Sequence, residues 1–365
     1  MKVAIVCDWL TNVGGAEKVL LAIHEMYPEA PIFTSQYSPR GIDWFRDAEV
    51  RTGYLQVLPA KMRRLIPMLR QHYFEHLDLS DYDLVISVTG AEAKAIKCGT
   101  RTTHICYCHV PTQYYWQMYD DYVKNPGFGW LNPMVWHFFK RFVRPLKKAD
   151  FYAAQQPDYF VTISEYAADL IKKYYKREAT VIAPPVETNK FPVVKNTTRA
   201  GFINFSRQVS WKRQDLAIEA CLRTGKKLTL IGEGPEHENL VKLAGGSKLI
   251  RFLPFMDTKG LAKELAKAEA FIFPSMEPFG IAPVEALAAG CPVIAYGRGG
   301  ARDYVFDGKN GLLFERQTMD SLAAALEKFE GMKLKQDAIA KSAQNFDVEN
   351  FKRKLQKFID EKTAK

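Results

Sequence analysis

The chain has 365 residues, 47% of them hydrophobic and 25% charged, which is enough apolar material for two ordinary cores and unlike the composition of a disordered chain. Its formal net charge of +10 calls for something anionic, but does not choose between nucleotide, phosphorylated acceptor, membrane surface and nucleic acid. The opening Met1-Lys2-Val3-Ala4-Ile5-Val6-Cys7-Asp8 is too short an apolar run for a signal peptide, and no later stretch reaches spanning length without a charge or proline, so a cytoplasmic chain is expected.

Strand-like and helix-like segments then alternate, the pattern of parallel βαβ units. Lys2–Cys7 reads as a strand, Glu17–Met26 as a helix, and Pro31–Thr34, Asp83–Val88 and Thr103–Cys108 as further strands. Asp81 and Asp83 read as a turn before a strand. The aromatic-rich stretch Tyr114–Tyr152 reads as a partly helical insertion. Val161–Ser164 ends a strand before the helix Ala167–Tyr175, and Thr180–Val186 leads out. From Pro184 to Arg199 prolines, polar residues and a lack of periodicity mark a hinge. Its Asn196-Thr197-Thr198 is a glycosylation sequon on paper only. Beyond it Gly201–Phe205, Lys227–Ile231, Leu249–Phe252, Ala270–Pro274 and Cys291–Tyr296 read as strands, Gln214–Leu222 and Thr258–Ala268 as helices, and Asn350–Ile359 has helical apolar spacing. The fold class is α/β, with two Rossmann-like, doubly wound halves facing one cleft.

The six cysteines lie mostly in these apolar runs and read as reduced core thiols. Cys106-Tyr107-Cys108-His109 lacks a second Cys/His pair, so no metal site is expected. Two basic, apolar-rich stretches, Lys61–Arg70 and His137–Lys148, fit either an anionic membrane surface or amphipathic helices packed on their own domain.

The chemistry concentrates at strand ends. Glu277 and Glu285 flank a Gly/Pro turn, Glu277-Pro278-Phe279-Gly280-Ile281-Ala282-Pro283-Val284-Glu285, between two strands. Pro283 suits the first turn of a helix, which puts Glu285 just inside it. A carboxylate grips a vicinal diol, so Glu285 suits a ribose and Glu277 the hydroxyls of a second sugar, with the Phe279, Gly280 and Ile281 N–H groups offered to a diphosphate. Arg207 and Lys212 follow the first strand of the second half, placed for the same anion. Gly14-Gly15 opens the first helix, either as a plain helix-opening turn or as a close approach for a ligand. His109 ends a strand, as a structural histidine or as an active-site group. Gly-x-Gly-x-x-Gly is absent, which argues against a nicotinamide-dependent dehydrogenase.

These segments, together with Ala183-Pro184-Pro185-Val186, Ile231-Gly232-Glu233-Gly234-Pro235 and Gly299-Gly300, resemble the retaining GT-B glycosyltransferases of family 4, most nearly the WbaZ-like mannosyltransferase branch, from residue 1 to about residue 330. The resemblance implies a domain at 1–185 that binds the acceptor, one at 186–345 that binds a nucleotide sugar, and a terminal helical segment at 346–365 packing back on the first. It implies a donor diphosphate held by Arg207 and Lys212, ribose on Glu285, donor sugar on Glu277 and the Phe279–Ile281 backbone, His109 near the reacting sugar, and Gly14 and Gly15 lining the acceptor and phosphate side. The implied reaction retains configuration without metal or cofactor, moving mannose from GDP-mannose to a polyprenyl-diphosphate-linked saccharide in O-antigen or exopolysaccharide synthesis. The implied place is the inner face of the cytoplasmic membrane, with peripheral contact to anionic lipid and no nucleic-acid partner. The alternatives are a UDP- or ADP-sugar transferase acting on a soluble acceptor and a catalytically silent scaffold. One departure is Gln208-Val209, where many relatives carry Leu and a variable residue.

Overall fold

Strands of a parallel sheet covered on both faces must be apolar throughout, and Val3–Cys7 and Thr103–Cys108 are buried at every position. The structure, a computed structural model, describes residues 1–59, 66–124, 132–195 and 198–364. Residues 61–65 of the first basic stretch, Asn196 and Thr197 of the sequon, and the side chains of 137–139 in the second basic stretch lie outside the described residues. The chain divides into two units, Met1–Pro184 with Lys352–Lys365, and Pro185–Phe351.

In chain order the first unit contains β1 (Val3–Cys7), α1 (Gly15–Met26), β2 (Ile32–Thr34), β3 (Val50–Arg51), α2 (Pro67–Glu75), β4 (Leu84–Thr89), β5 (Thr103–Cys108), α3 (Tyr119–Lys124), α4 (Asn132–Ala153), β6 (Tyr159–Thr162), α5 (Glu165–Tyr175) and β7 (Thr180–Val181). The strands form one parallel sheet in the order β3-β2-β1-β4-β5-β6-β7, with Ile5 of β1 beside Ile32 on one side and Ile86 on the other. Val6, Phe33, Phe74 and Val85 belong to a core on one face. Helix α4 runs through Pro145 and carries the second basic stretch. Val143 and Leu146 are buried there while Lys140, Arg141, Arg144 and Lys148 are exposed, so its apolar side is covered and its basic side faces water.

The second unit contains β8 (Phe202–Phe205), α6 (Gln214–Thr224), β9 (Leu228–Ile231), α7 (His237–Ala244), β10 (Ile250–Leu253), α8 (Thr258–Lys267), β11 (Ala270–Phe273), α9 (Ile281–Ala288), β12 (Val293–Tyr296), β13 (Gly311–Phe314), α10 (Met319–Glu330) and α11 (Gln336–Ala343). Its parallel sheet has the order β10-β9-β8-β11-β12-β13. Asp257 caps α8 by accepting from the Gly260 N–H at 2.8 Å, and Gly225 ends α6 in the left-handed region at φ 68°. A final helix, α12 (Val348–Thr363), returns to the first unit, where Gln356 accepts from the Tyr27 hydroxyl at 3.0 Å and Phe358 packs edge-on against Tyr159.

The α/β class and the two doubly wound halves are as read from the sequence. In both sheets the order reverses beside the first strand, between β1 and β4 and between β8 and β11, where open α/β sheets offer a crevice at their carboxyl ends. Among the described residues no helix is long and apolar enough to cross a membrane.

Candidate active site

In the second unit the crevice lies between the ends of β8 and β11. After β8 the chain turns through Ser206–Arg213 into α6; after β11 it turns through Pro274–Gly280 into α9. The two turns meet at an ion pair. Lys212 Nζ donates to Glu277 Oε1 at 2.6 Å, and Ser275 Oγ donates to the same oxygen at 2.7 Å. Lys212, Ser275 and Glu277, with Ser206, Gly280 and Ile281, line a cavity of about 30 Å³. The lysine and glutamate side chains are 21% and 19% exposed, so the pair sits half-sunk at a solvent-reachable edge. Arg207 lies on the same turn after β8, exposed and making no hydrogen bond or ion pair among the described residues. One cation is therefore already engaged, and the other is open to an anion.

The turn into α9 is shaped by glycine. Gly280 caps the helix at φ 91°, and a Cβ there would come 2.6 Å from Phe273 Cζ. No side chain caps α9, so the N–H groups of its first turn remain available as donors. The helix starts at Ile281, so Phe279 lies before it rather than in its first turn. Phe279 is instead an anchor: buried, with its carbonyl accepting from the Tyr304 hydroxyl at 2.6 Å. Gly299 and Gly300 lie directly on the same turn, where added Cβ atoms would meet Glu277 O at 2.4 Å and Pro278 O at 2.2 Å. Glu285 is half-buried, one turn into α9.

In the first unit the strand-end residues behave differently. Gly14 caps α1 with φ −163°, an extended backbone that any residue adopts, and a Cβ there would meet Glu17 Oε2 at 2.8 Å. Gly15 is the first residue of α1. His109 follows β5 and extends its pairing with β4, its N–H donating to Thr89 O at 2.8 Å. Its ring meets Tyr107 edge-on at 5.6 Å, and Nε2 is enclosed with no partner among the described residues. Burial pulls its pKa down to about 4, so the ring is neutral at physiological pH. Cys106 and Cys108 beside it are buried free thiols.

Sequence reading missed the polar network at this edge. The Asp8 carboxylate, just after β1, accepts from Thr89 Oγ1 at 2.9 Å and from the Gly90 and Ala93 N–H groups at 2.9 and 2.8 Å, shaping the loop after β4. That loop carries Glu92, paired with Arg70 at 2.8 Å, and Lys94, paired with Asp150 at 2.6 Å. All four are 5% exposed or less. Burial, the largest single influence, opposes the charge on Lys94, but the Asp150 carboxylate together with Cys108 and Glu92 outweighs it and holds its pKa above the ordinary lysine value. Asp150 also accepts from Thr112 Oγ1, Trp116 Nε1 and Tyr175 Oη at 2.7, 2.7 and 2.8 Å. The one local signal was Asp8 itself, a carboxylate at the end of an apolar strand.

Residues 185–346 match the family Glycosyl transferases group 1. The "Uncharacterized glycosyltransferase YqgM" of Bacillus subtilis is 28% identical over 186 residues, 48% of this chain and 52% of that protein. A "GDP-mannose-dependent alpha-(1-6)-phosphatidylinositol monomannoside mannosyltransferase" of Mycolicibacterium smegmatis is 32% identical over 139 residues, 33% of this chain and 36% of that protein. The chain thus spans about half the length, or less, of these curated relatives. Anabaena Alr3699/HepE, solved in complex with UDP, superimposes with a TM-score of 0.72 at 20% identity, over 99% of this chain and 100% of that one, a likeness of fold. The chain thus has the GT-B fold, and its ion pair, open arginine and glycine-shaped helix start all lie inside the segment that matches the model of the glycosyl transferases group 1.

Proposed function

We propose that this chain is a retaining glycosyltransferase that moves a hexose, mannose from GDP-mannose, onto a polyprenyl-diphosphate-linked saccharide in O-antigen or exopolysaccharide synthesis. The observation that carries the reading is the convergence at one sheet edge of an open arginine, a lysine held by a carboxylate and an uncapped helix start. The donor diphosphate takes Arg207 and the α9 N–H groups and draws Lys212 from Glu277. Glu277, still held by Ser275, then accepts from hydroxyls of the donor sugar, and Glu285 takes the ribose diol. As the bond from the sugar's C1 to the β-phosphate oxygen breaks, the cations and helix start stabilise the charge that develops there. The departing phosphate oxygen takes the proton of the acceptor hydroxyl as the acceptor oxygen bonds to C1 from the same face. Neutral His109 serves as a hydrogen-bonding group to the sugar rather than as a charge. Mannose and guanine are favoured by the family likeness and by the GDP-mannose-dependent relative.

The test is calorimetric titration with GDP, UDP, ADP and NAD in moderate salt, followed by transfer assays with lipid-linked acceptors. Selective GDP binding and mannose transfer are expected. UDP or ADP selectivity would replace the donor, binding of none would revive the scaffold, and a Glu285→Ala protein transferring at the parental rate would sink the site assignment.

A further inference from the structure

The loop that presents Arg207 is fastened by the residue next to it. Gln208 is fully buried, and all four of its hydrogen-bonding groups engage the turn from Gly232 to His237. Its N–H donates to Glu233 O at 2.9 Å and its carbonyl accepts from the Glu236 N–H at 3.1 Å. Its side-chain Nε2 donates to Gly232 O at 2.9 Å, and its Oε1 lies 2.7 Å from His237 Nδ1. The amide orientation follows from the first side-chain bond, since only the NH₂ group can face a carbonyl. Oε1 therefore accepts, and His237 Nδ1 donates to it. Two glycines let turn and loop touch. A Cβ on Gly232, at φ 122°, would lie 2.4 Å from Ser206 O, and one on Gly234 would lie 2.2 Å from Gln208 O. On the far side the His237 ring packs edge-on against Phe252 at 5.6 Å.

Arg207 itself is exposed and unpaired among the described residues, so it must be ordered when an anion binds, and a mobile backbone would add to that cost. We propose that Gln208 is a positioning residue for Arg207, clamping its backbone to the Gly232–His237 turn so that the guanidinium starts from one place when the donor diphosphate arrives. The inference rests on the reading of Arg207 as a diphosphate ligand. It also gives the Gln208 departure from the family pattern a physical role, because a leucine there would leave Gly232 O and His237 Nδ1 without their partner.

The test is a double-mutant cycle on nucleoside diphosphate affinity, using whichever of GDP or UDP binds the parent, with Arg207→Ala, Gln208→Leu and the double variant, and melting curves alongside. Gln208→Leu is expected to weaken binding roughly tenfold in the parent and to add nothing once Arg207 is alanine. Equal losses in both backgrounds, or no loss in the parent, would overturn the positioning role. Parental affinity in Arg207→Ala would instead overturn the diphosphate reading, and the proposal with it. Should Gln208→Leu fail to fold, His237→Ala, which removes only the exposed end of the clamp, is expected to give about a threefold loss that likewise vanishes in the Arg207→Ala background, and any other pattern would count against the clamp.

Discussion

Replacing Asp150 with alanine tests the buried network of the first unit. The Lys94 ammonium, 1% exposed, would keep the Thr112 hydroxyl and the Ala91 carbonyl but lose its counter-charge. Thr112 Oγ1, Trp116 Nε1 and Tyr175 Oη would lose an acceptor at the same time. Breaking a buried pair from one side costs about 3–5 kcal/mol and each stranded donor adds of order 1 kcal/mol, not additively, so a loss of at least about 4 kcal/mol is expected. For a unit of this size that lowers the melting temperature by roughly 8–16 °C, read as the shift of the first unit's transition in scanning calorimetry. Removing both charges in Lys94→Met/Asp150→Leu is expected to recover most of the loss, since no lone charge stays buried. With Asp150 gone, burial, the largest influence on Lys94, is opposed only by Cys108 and Glu92, so its pKa falls; where it falls below the unfolded value, the unfolded chain binds the extra proton and Asp150→Ala gains stability relative to the parent as pH rises from 7 to 9. A loss under about 1 kcal/mol, or a double variant weaker than the single, would refute the reasoning.

Gly280→Ala forces a side chain onto a φ of 91° and to within 2.6 Å of Phe273 Cζ; a loss of about 2 kcal/mol or more in the second unit's transition is expected, together with weaker nucleoside diphosphate binding. Lys212→Met should cost folding less than about 1 kcal/mol, because its pair is partly exposed, yet lower nucleoside diphosphate affinity tenfold or more; unchanged affinity in the titration would remove Lys212 from the site. His104 is buried beside Ser87, and burial, with Arg177 nearby, lowers its pKa to about 3. The unfolded chain takes up that proton first, so the stability His104 holds above about pH 6.5 is lost at roughly 1.4 kcal/mol per pH unit as pH falls toward 3; chemical denaturation of a His104→Gln protein across this range should lack that share of the slope.

The fold was legible because parallel strands buried on both faces must be apolar runs, and β1, β5 and β11 are such runs bounded by polar turns. The two-residue β3 leaves no periodicity to find. Helix α10 is signalled only by the helical spacing of Leu322, Leu326 and Phe329, which bury one face of it, and the short α11 by still less, with Ile339 and Ala343 its buried residues. In the second unit, Arg207, Lys212, Glu277 and Gly280 could be placed at strand ends because each follows its strand within a few residues. The pairing of Lys212 with Glu277 was not legible, since the residues lie on turns after different strands. The same holds for Lys94 with Asp150 and for Arg70 with Glu92, where tertiary folding alone brings distant positions into register. Gln208 read as a departure; only its neighbours reveal four satisfied bonds.

The return of α12 to the first unit fixes an order of events during synthesis. The first unit's chain runs to Pro184, but Leu355 and Ile359, both fully buried, belong to the same unit and are translated 171 and 175 residues later (355 − 184 and 359 − 184). At 5–20 residues per second that is a wait of roughly 10–35 s, during which the whole second unit leaves the ribosome. For that time the nascent first unit displays the apolar surface that α12 will cover, including the neighbourhood of Tyr159. A ribosome stalled anywhere in the second unit therefore holds a sticky intermediate, and a chaperone that shields it has its longest opportunity there.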